Sequence, residues 1–359
     1  MNDRTRHSEI DLYKGLGIIF VMIYLSGMAG GWFADLTAII CFPLVMTAAG
    51  ASQYVRGYEE SNTEMFKHGL VRGLLPYLWF SVIFLLIDAL GMFIAPERFG
   101  INGLYINIYE TLTLTGIGVL WFYPVFTVST LVWRLFRKDV SFPWMGGSVT
   151  FVCVAMLCIF HIRGFDAAFI FEETEPGLNN VLMRLSCLLW LSAAGIFFCF
   201  WGELCCRLSV YLKKHKFICV IAAFTATAAG GVLCIFTGET DIRLMRMGNP
   251  LITLPAMLLL SGGLYILCGW IRTIRGIEEL GRYAVIIYPC FACMGLTELA
   301  LGIGGKVFAA TMNNFACRAC VTLVMLAFAA VLILILRLKP FAFLFGHRSF
   351  KAPGVQEEE

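Results

Sequence analysis

The sequence predicts an all-α, polytopic integral membrane protein of about ten transmembrane helices with both termini cytoplasmic. Hydrophobic residues make up 59% of the 359-residue chain and charged residues only 14%, whereas a soluble domain is nearer half apolar and a quarter charged. Apolar runs of about twenty residues, the length a bilayer requires, recur along almost the whole chain. Lys and Arg collect in alternate connecting segments, the pattern that fixes orientation across a membrane. Mean hydropathy is +0.81, and no alternation of short strands supports a membrane β-barrel.

The expected spans run over residues 13–33, 36–55, 72–94, 112–133, 143–161, 181–203, 216–236, 250–270, 283–303 and 317–337. The first is not a cleaved signal peptide, because it is long and no small-residue cleavage site precedes the second. With the N-terminus inside, 20 of the 27 Lys and Arg fall on inner segments, among them Arg4, Arg6 and Lys14, then Arg134, Arg137 and Lys138. The loops at 162–180 and 237–249 then lie outside. The chain divides into a cytoplasmic tail (1–12), a transmembrane domain (13–338) and a second cytoplasmic tail (339–359). The closing stretch Lys351-Ala-Pro-Gly-Val-Gln-Glu-Glu-Glu359 is charged and reads as disordered.

Composition also bounds the partners. A net charge of +3 gives no reason to expect nucleic acid, whereas membrane lipid is an expected partner. The fourteen Cys lie in or beside apolar spans, as buried inert thiols do. Cys290-x-x-Cys293 and Cys317-x-x-Cys320 have ligand-like spacing, but no His or carboxylate completes a tetrahedral set nearby in sequence, so no metal is expected. Pro43, Pro76, Pro124, Pro255 and Pro289 fall within or at the ends of spans, where each removes a backbone donor and can kink the helix. Gly27 to Gly31 and Gly302 to Gly305 read as turns at span ends or as close helix contacts.

The most informative residues open the first span, Asp11-Leu-Tyr-Lys14-Gly-Leu-Gly-Ile-Ile-Phe-Val-Met-Ile-Tyr-Leu25. Eleven helical steps turn through about 1100°, roughly 20° past three full turns, so Lys14 and Leu25 share a face about 16 Å apart. Ile18, Val21 and Met22 lie between them, and Ser26 is about 120° round from Lys14. A cation at the membrane edge can hold an anionic donor there, while the deeper position meets an acceptor.

This opening resembles that of the acyltransferase-3 family of multi-span membrane proteins, in which a cation at the start of the first span is followed, ten residues intervening, by a His. Lys14 matches the cation, and Leu25 stands in the His place. Later segments are similar in the right order. They are Phe42-Pro43-Leu44 to Ala49-Gly50, Arg72-Gly73-Leu74-Leu75-Pro76-Tyr77, and Leu120-Trp121-Phe122-Tyr123-Pro124. Phe197-Phe198-Cys199-Phe200-Trp201-Gly202 follows, then Asp241-Ile242-Arg243 with Gly248-Asn249-Pro250. Leu280-Gly281-Arg282 to Ile287-Tyr288 and Lys339-Pro340 with Gly346-His347-Arg348 complete the pattern. Two further customary His positions are Val119 and Phe291, and the five His of the chain lie at span edges or in loops.

The resemblance implies transfer of an acyl group from acyl-CoA, as co-substrate and with no bound cofactor, to a hydroxyl of a cell-surface glycan or similar acceptor in a bacterial plasma membrane. It equally accommodates a catalytically inactive relative that binds or moves an acyl donor, a lipid-linked sugar or a small amino acid. A structural or regulatory membrane subunit is a third reading. Lys14 and Arg72, at cytoplasmic mouths, are the donor-binding expectation, against plain orientation and lipid contact. Transfer needs a base for the acceptor proton, and Glu298 or Asp88 is the carboxylate expected to replace the His, unless both are merely interfacial. Glu203 falls at the cytoplasmic end of the sixth span. Trp121 and Tyr123 line a donor cavity or pack as core and interfacial anchors. Asp241 and Arg243, with Arg246, either recognise the acceptor or form a loop-internal ion pair.

Overall fold

The structure, a computed structural model, describes residues 8–26, 32–57, 61–94, 100–163, 177–212, 216–238, 240–271, 274–293 and 296–337. Among them the backbone is almost entirely helical, and the β-structure is a single isolated bridge between Asp241 and Arg246. Helix α1 (Ser8–Leu25) leads to α2 (Trp32–Arg56), and the short α3 (Asn62–Gly69) passes through a π-helical turn (Leu70–Leu74) into α4 (Leu75–Ile94). Next come α5 (Ile101–Leu112), α6 (Phe122–Asp139), α7 (Phe142–Arg163) and the 35-residue α8 (Leu178–Leu212). Then follow α9 (Lys216–Leu233), α10 (Pro250–Cys268), α11 (Arg275–Arg282), α12 (Ala284–Cys293), α13 (Leu296–Thr311) and α14 (Asn314–Leu336).

Among the described residues, six helical segments are long and apolar enough to cross a membrane: Leu36–Arg56, Leu75–Ile94, Leu178–Tyr211, Phe217–Phe236, Pro250–Cys268 and Asn314–Leu336. A seventh results if Ala284–Phe291 and Leu296–Thr311 count as one bent span. The expectation of ten differs from this count at four places, three of them with a local reason. Helix α1 is apolar after its first two turns but carries Glu9, Asp11 and Lys14. The expected 112–133 span is interrupted, since α5 ends at Leu112 and α6 begins at Phe122. Between them Leu114, Gly116 and Gly118 take φ of 59°, 72° and 56°, a left-handed backbone that no α-helix contains. Helix α7 is 22 residues long, Phe142–Arg163, and its side chains are described over Phe142–Met156, the length counted there. The expected 283–303 span is divided between α12 and α13.

The π-helical turn has a cause in the sequence. Pro76 supplies no N–H and its ring clashes with the carbonyl four residues back in an α-helix, and the widened turn Leu70–Leu74 sits at that place. Close packing through small residues, the usual way membrane helices approach, joins α2 to α8. A Cβ on Gly50 would fall 2.0 Å from the Cys199 carbonyl oxygen, and one on Gly202 would fall 2.0 Å from that of Thr47. Gly302 to Gly305 lie inside α13 rather than at its end, and Gly304 there meets Val321 and Cys317 of α14. Gly27 to Gly31, the loop residues 164–176, and Lys339 to the C-terminus lie outside the described residues.

Two large buried clusters form most of the core among the described residues, with a smaller third of Ala49, Trp133, Met145 and Cys199. The first gathers Ile39, Ile40, Leu44 and Met46 of α2, Phe197 and Phe198 of α8, and Met257 and Leu260 of α10. The second gathers Tyr77 and Phe80 of α4, Tyr123 of α6, Ile287 and Phe291 of α12, and Val321 and Met325 of α14. Helix α1 belongs to both, giving Leu12 and Tyr13 to the first and Ile18 and Met22 to the second.

Candidate functional site

Helix α1 is built into the interior by close contact with α11. A Cβ on Gly281 would fall 1.8 Å from the Asp11 carbonyl oxygen, and one on Gly15 would fall 1.9 Å from that of Ile277. Beside this contact the buried Tyr13 donates its hydroxyl to the Ser261 carbonyl at 2.8 Å and meets the Tyr265 ring edge-on at 5.4 Å. Lys14 is half-buried next to it. Further along the same face, Ile18 and Met22 are buried and Leu25 packs on the second cluster, which also holds Phe291. Two of the three customary His positions are therefore part of one hydrocarbon cluster.

The segment at Trp121 and Tyr123 stands at the seam between the two large clusters. Phe42 lies at its centre, stacked on Trp121 at 6.0 Å and edge-on to Phe198 at 6.1 Å. Tyr123 is buried; its ring stacks on Phe80 and its hydroxyl donates to the Val285 carbonyl. Its polar end is thus occupied by α12. Trp121 is half-buried and packs on the first cluster.

The remaining expected residues are scattered. Arg72 belongs to the π-helical turn, whose Gly73 would place a Cβ 1.8 Å from the Thr127 hydroxyl oxygen on α6. Asp88 accepts from the Asn107 amide on α5 at 2.5 Å. Glu298 is exposed in the first turn of α13. Asp241 accepts from the backbone N–H groups of Arg243 at 2.9 Å and Leu244 at 3.3 Å, closing a turn on itself. Its carboxylate thus holds the loop backbone, and the loop is closed further by two backbone hydrogen bonds between Asp241 and Arg246.

The structure adds a polar cluster where α5, α8 and the loop after α5 converge. Arg184 is fully buried. It donates to Asn180 Oδ1 at 2.7 Å and to the Thr115 hydroxyl at 3.1 Å, and its guanidinium lies 4.8 Å over the Tyr109 ring. Tyr109 also donates to Asn180 Oδ1 at 2.7 Å. Glu110 stands within the field of this group; burial pushes its carboxyl above the usual range, while the Arg243 and Arg184 charges pull it back. Glu110 of α5 and Arg184 of α8 thus set opposite charges in one buried region.

A second polar node lies about 29 Å along α8, nineteen residues from Arg184. The Glu203 carboxylate is fully buried and accepts from Arg137 Nε at 3.1 Å and from Arg207 at 2.6 Å. Arg207 also lies over the rings of Tyr54 and Phe142, at 4.7 and 4.4 Å. The sequence places Glu203 at a span end without its partners. Arg184 has a legible signal, because a cation inside an apolar span is costly unless it is paired or functional. Compared with protein-family models, curated proteins and solved structures, the chain matches none.

Proposed function

We propose that the chain is a membrane protein of the acyltransferase-3 type, engaging acyl-CoA near Lys14 and Arg72 for transfer to a hydroxyl of a cell-surface glycan or similar acceptor. The supporting observation is that the segments carrying the resemblance, far apart in sequence, meet in one interior. Phe42 packs against Trp121 and Phe198, Gly50 against Cys199, Gly73 against Thr127, and Gly281 against Asp11. In this reading Lys14 holds an anionic part of the donor at the polar end of α1. The acceptor oxygen bonds to the acyl carbon, the thioester C–S bond breaks, and the acceptor proton passes to a base as CoA thiol leaves. A bacterial plasma membrane is the setting of this reading.

A second reading is favoured by the hydrocarbon around Leu25 and Phe291. With no titratable side chain at either position, the fold acts as a catalytically silent carrier or receptor for an acyl donor, a lipid-linked sugar or a small amino acid.

Thiol release from a panel of acyl-CoAs by the protein in nanodiscs decides between the readings. The transferase reading predicts release that Lys14→Ala abolishes and that Leu25→His does not require. Absence of release from the folded, donor-binding protein rejects transfer for that panel and leaves the silent reading.

A further inference from the structure

The inference concerns a groove beside the π-helical turn that carries Arg72. It has a volume of about 590 Å³ and is lined by Thr63, Phe66, Lys67, Leu70, Val71 and Leu135. Thr63, Phe66, Lys67 and Leu70 follow the spacing i, i+3, i+4, i+7, so α3 and the start of the π-helical turn present one face to it.

That face is held in place from behind. Ser61 caps α3 by accepting the Glu64 N–H at 3.3 Å, Met65 is buried on the opposite side, and a Cβ on Gly69 would fall 2.5 Å from the Leu131 side chain. The π-helical turn begins at Leu70, so the groove's floor is shaped by the Pro76 distortion as well as by α3. Phe66 is 53% exposed and Leu135 is 37% exposed, although both face the groove.

The arrangement has a polarity. Its apolar members Leu70 and Val71 immediately precede the membrane-spanning segment Leu75–Ile94. Lys67 stands two helical turns before that segment and is exposed. On α6, Lys138 follows Leu135 by three residues and so shares its side of the helix. Hydrocarbon at the membrane end and two ammonium groups at the other complement a molecule with an alkyl chain and a phosphate.

We propose that this groove binds an anionic phospholipid, with an acyl chain along Phe66, Leu70, Val71 and Leu135 and the headgroup phosphate held by Lys67 and Lys138. Arg72 follows Val71 directly, so the groove borders part of the donor region proposed above, and competition with palmitoyl-CoA separates the two assignments. Charge near a membrane surface contributes on the order of fivefold in binding per lysine, so the preference for anionic over zwitterionic lipid measures the contribution of these two residues.

The test is native mass spectrometry of the detergent-solubilised full chain. It is titrated with phosphatidylglycerol and phosphatidylcholine of identical acyl chains, and with palmitoyl-CoA as competitor. Wild type is expected to retain phosphatidylglycerol over phosphatidylcholine by at least about fivefold. Lys67→Glu with Lys138→Glu is expected to remove that preference in protein shown to be folded by its thermal unfolding transition, and Leu70→Trp to reduce retention of both lipids by filling the groove. An unchanged preference in the double charge reversal overturns the proposal, as does unchanged retention in folded Leu70→Trp. Displacement of phosphatidylglycerol by an equimolar amount of palmitoyl-CoA also overturns it, by assigning the groove to the acyl donor.

Discussion

Gly281 of α11 lies so close to Asp11 of α1 that a Cβ would stand 1.8 Å from the Asp11 carbonyl oxygen. Backbone meets backbone here, and a flexible side chain has no room to yield. Together with Gly15 against Ile277, this contact seats the half-turn bearing Lys14 against α11.

Gly281→Ala is therefore expected to destabilise the protein by about 1–3 kcal/mol, the usual cost of forcing an extra carbon into a packed interior. Gly276→Ala on the same helix is the control, since a Cβ there meets nothing within 4 Å. Alanine generally favours a helix over glycine. Thermal unfolding in detergent should show a fall for the first variant and no fall for the second.

The Arg184 node predicts a large effect from a single truncation. Arg184→Ala empties a fully buried site and removes one donor from Asn180 Oδ1, which keeps the Tyr109 hydroxyl, and one from the Thr115 hydroxyl. Each hydrogen bond lost from a charged donor costs about 1.5–3 kcal/mol. Arg184→Lys should recover only part of the loss, because an ammonium lacks the planar fork that reaches both partners. Chemical or thermal unfolding of the three proteins reads the order wild type, lysine, alanine.

Glu110 makes stability depend on pH. Burial, opposed by Arg243 and Arg184, leaves its folded-state carboxyl above the ordinary value. The folded state then binds more protons than the unfolded state between the two values, so stability falls as pH rises through that window. Below it both states are protonated, and above it the loss is complete. Glu110→Gln is expected to remove this component of the slope above about pH 4.5 in unfolding midpoints measured across pH.

At the other end of α8, Glu203→Ala should be more damaging than Arg207→Ala. The first leaves two guanidinium groups around a fully buried site; the second removes a side chain that is 37% exposed and leaves Arg137 on the carboxylate. A loss of about 3–5 kcal/mol is expected for the carboxylate and a smaller one for the arginine. Equal losses would mean that the pairing with Arg137 contributes little.

The helical membrane character was legible because hydrocarbon thickness imposes a length that composition reveals directly. The spans at Leu75–Ile94, Phe217–Phe236, Pro250–Cys268 and Asn314–Leu336 follow from such runs. The break before α6 was harder to read, because Leu114 takes a left-handed φ that its residue type disfavours. It packs on both large core clusters, and that tertiary contact offsets the local preference. The site divides in the same way. The face shared by Lys14, Ile18, Met22 and Leu25 follows from helix geometry alone. The meeting of Arg184 with Tyr109 and Thr115, about seventy residues away in sequence, depends on how α5 folds back beside α8.

Equilibrium binding of acyl-CoA to the protein in nanodiscs tests the functional account most directly, because both readings of the Lys14 face share it when the ligand is an acyl donor. Acetyl-CoA and a longer-chain acyl-CoA would be titrated against wild type, Lys14→Ala and Gly276→Ala. The account predicts saturable binding that Lys14→Ala weakens and Gly276→Ala leaves unchanged. Absence of binding to the folded wild type, or equal affinity in wild type and Lys14→Ala, would contradict the assignment of this face to the donor.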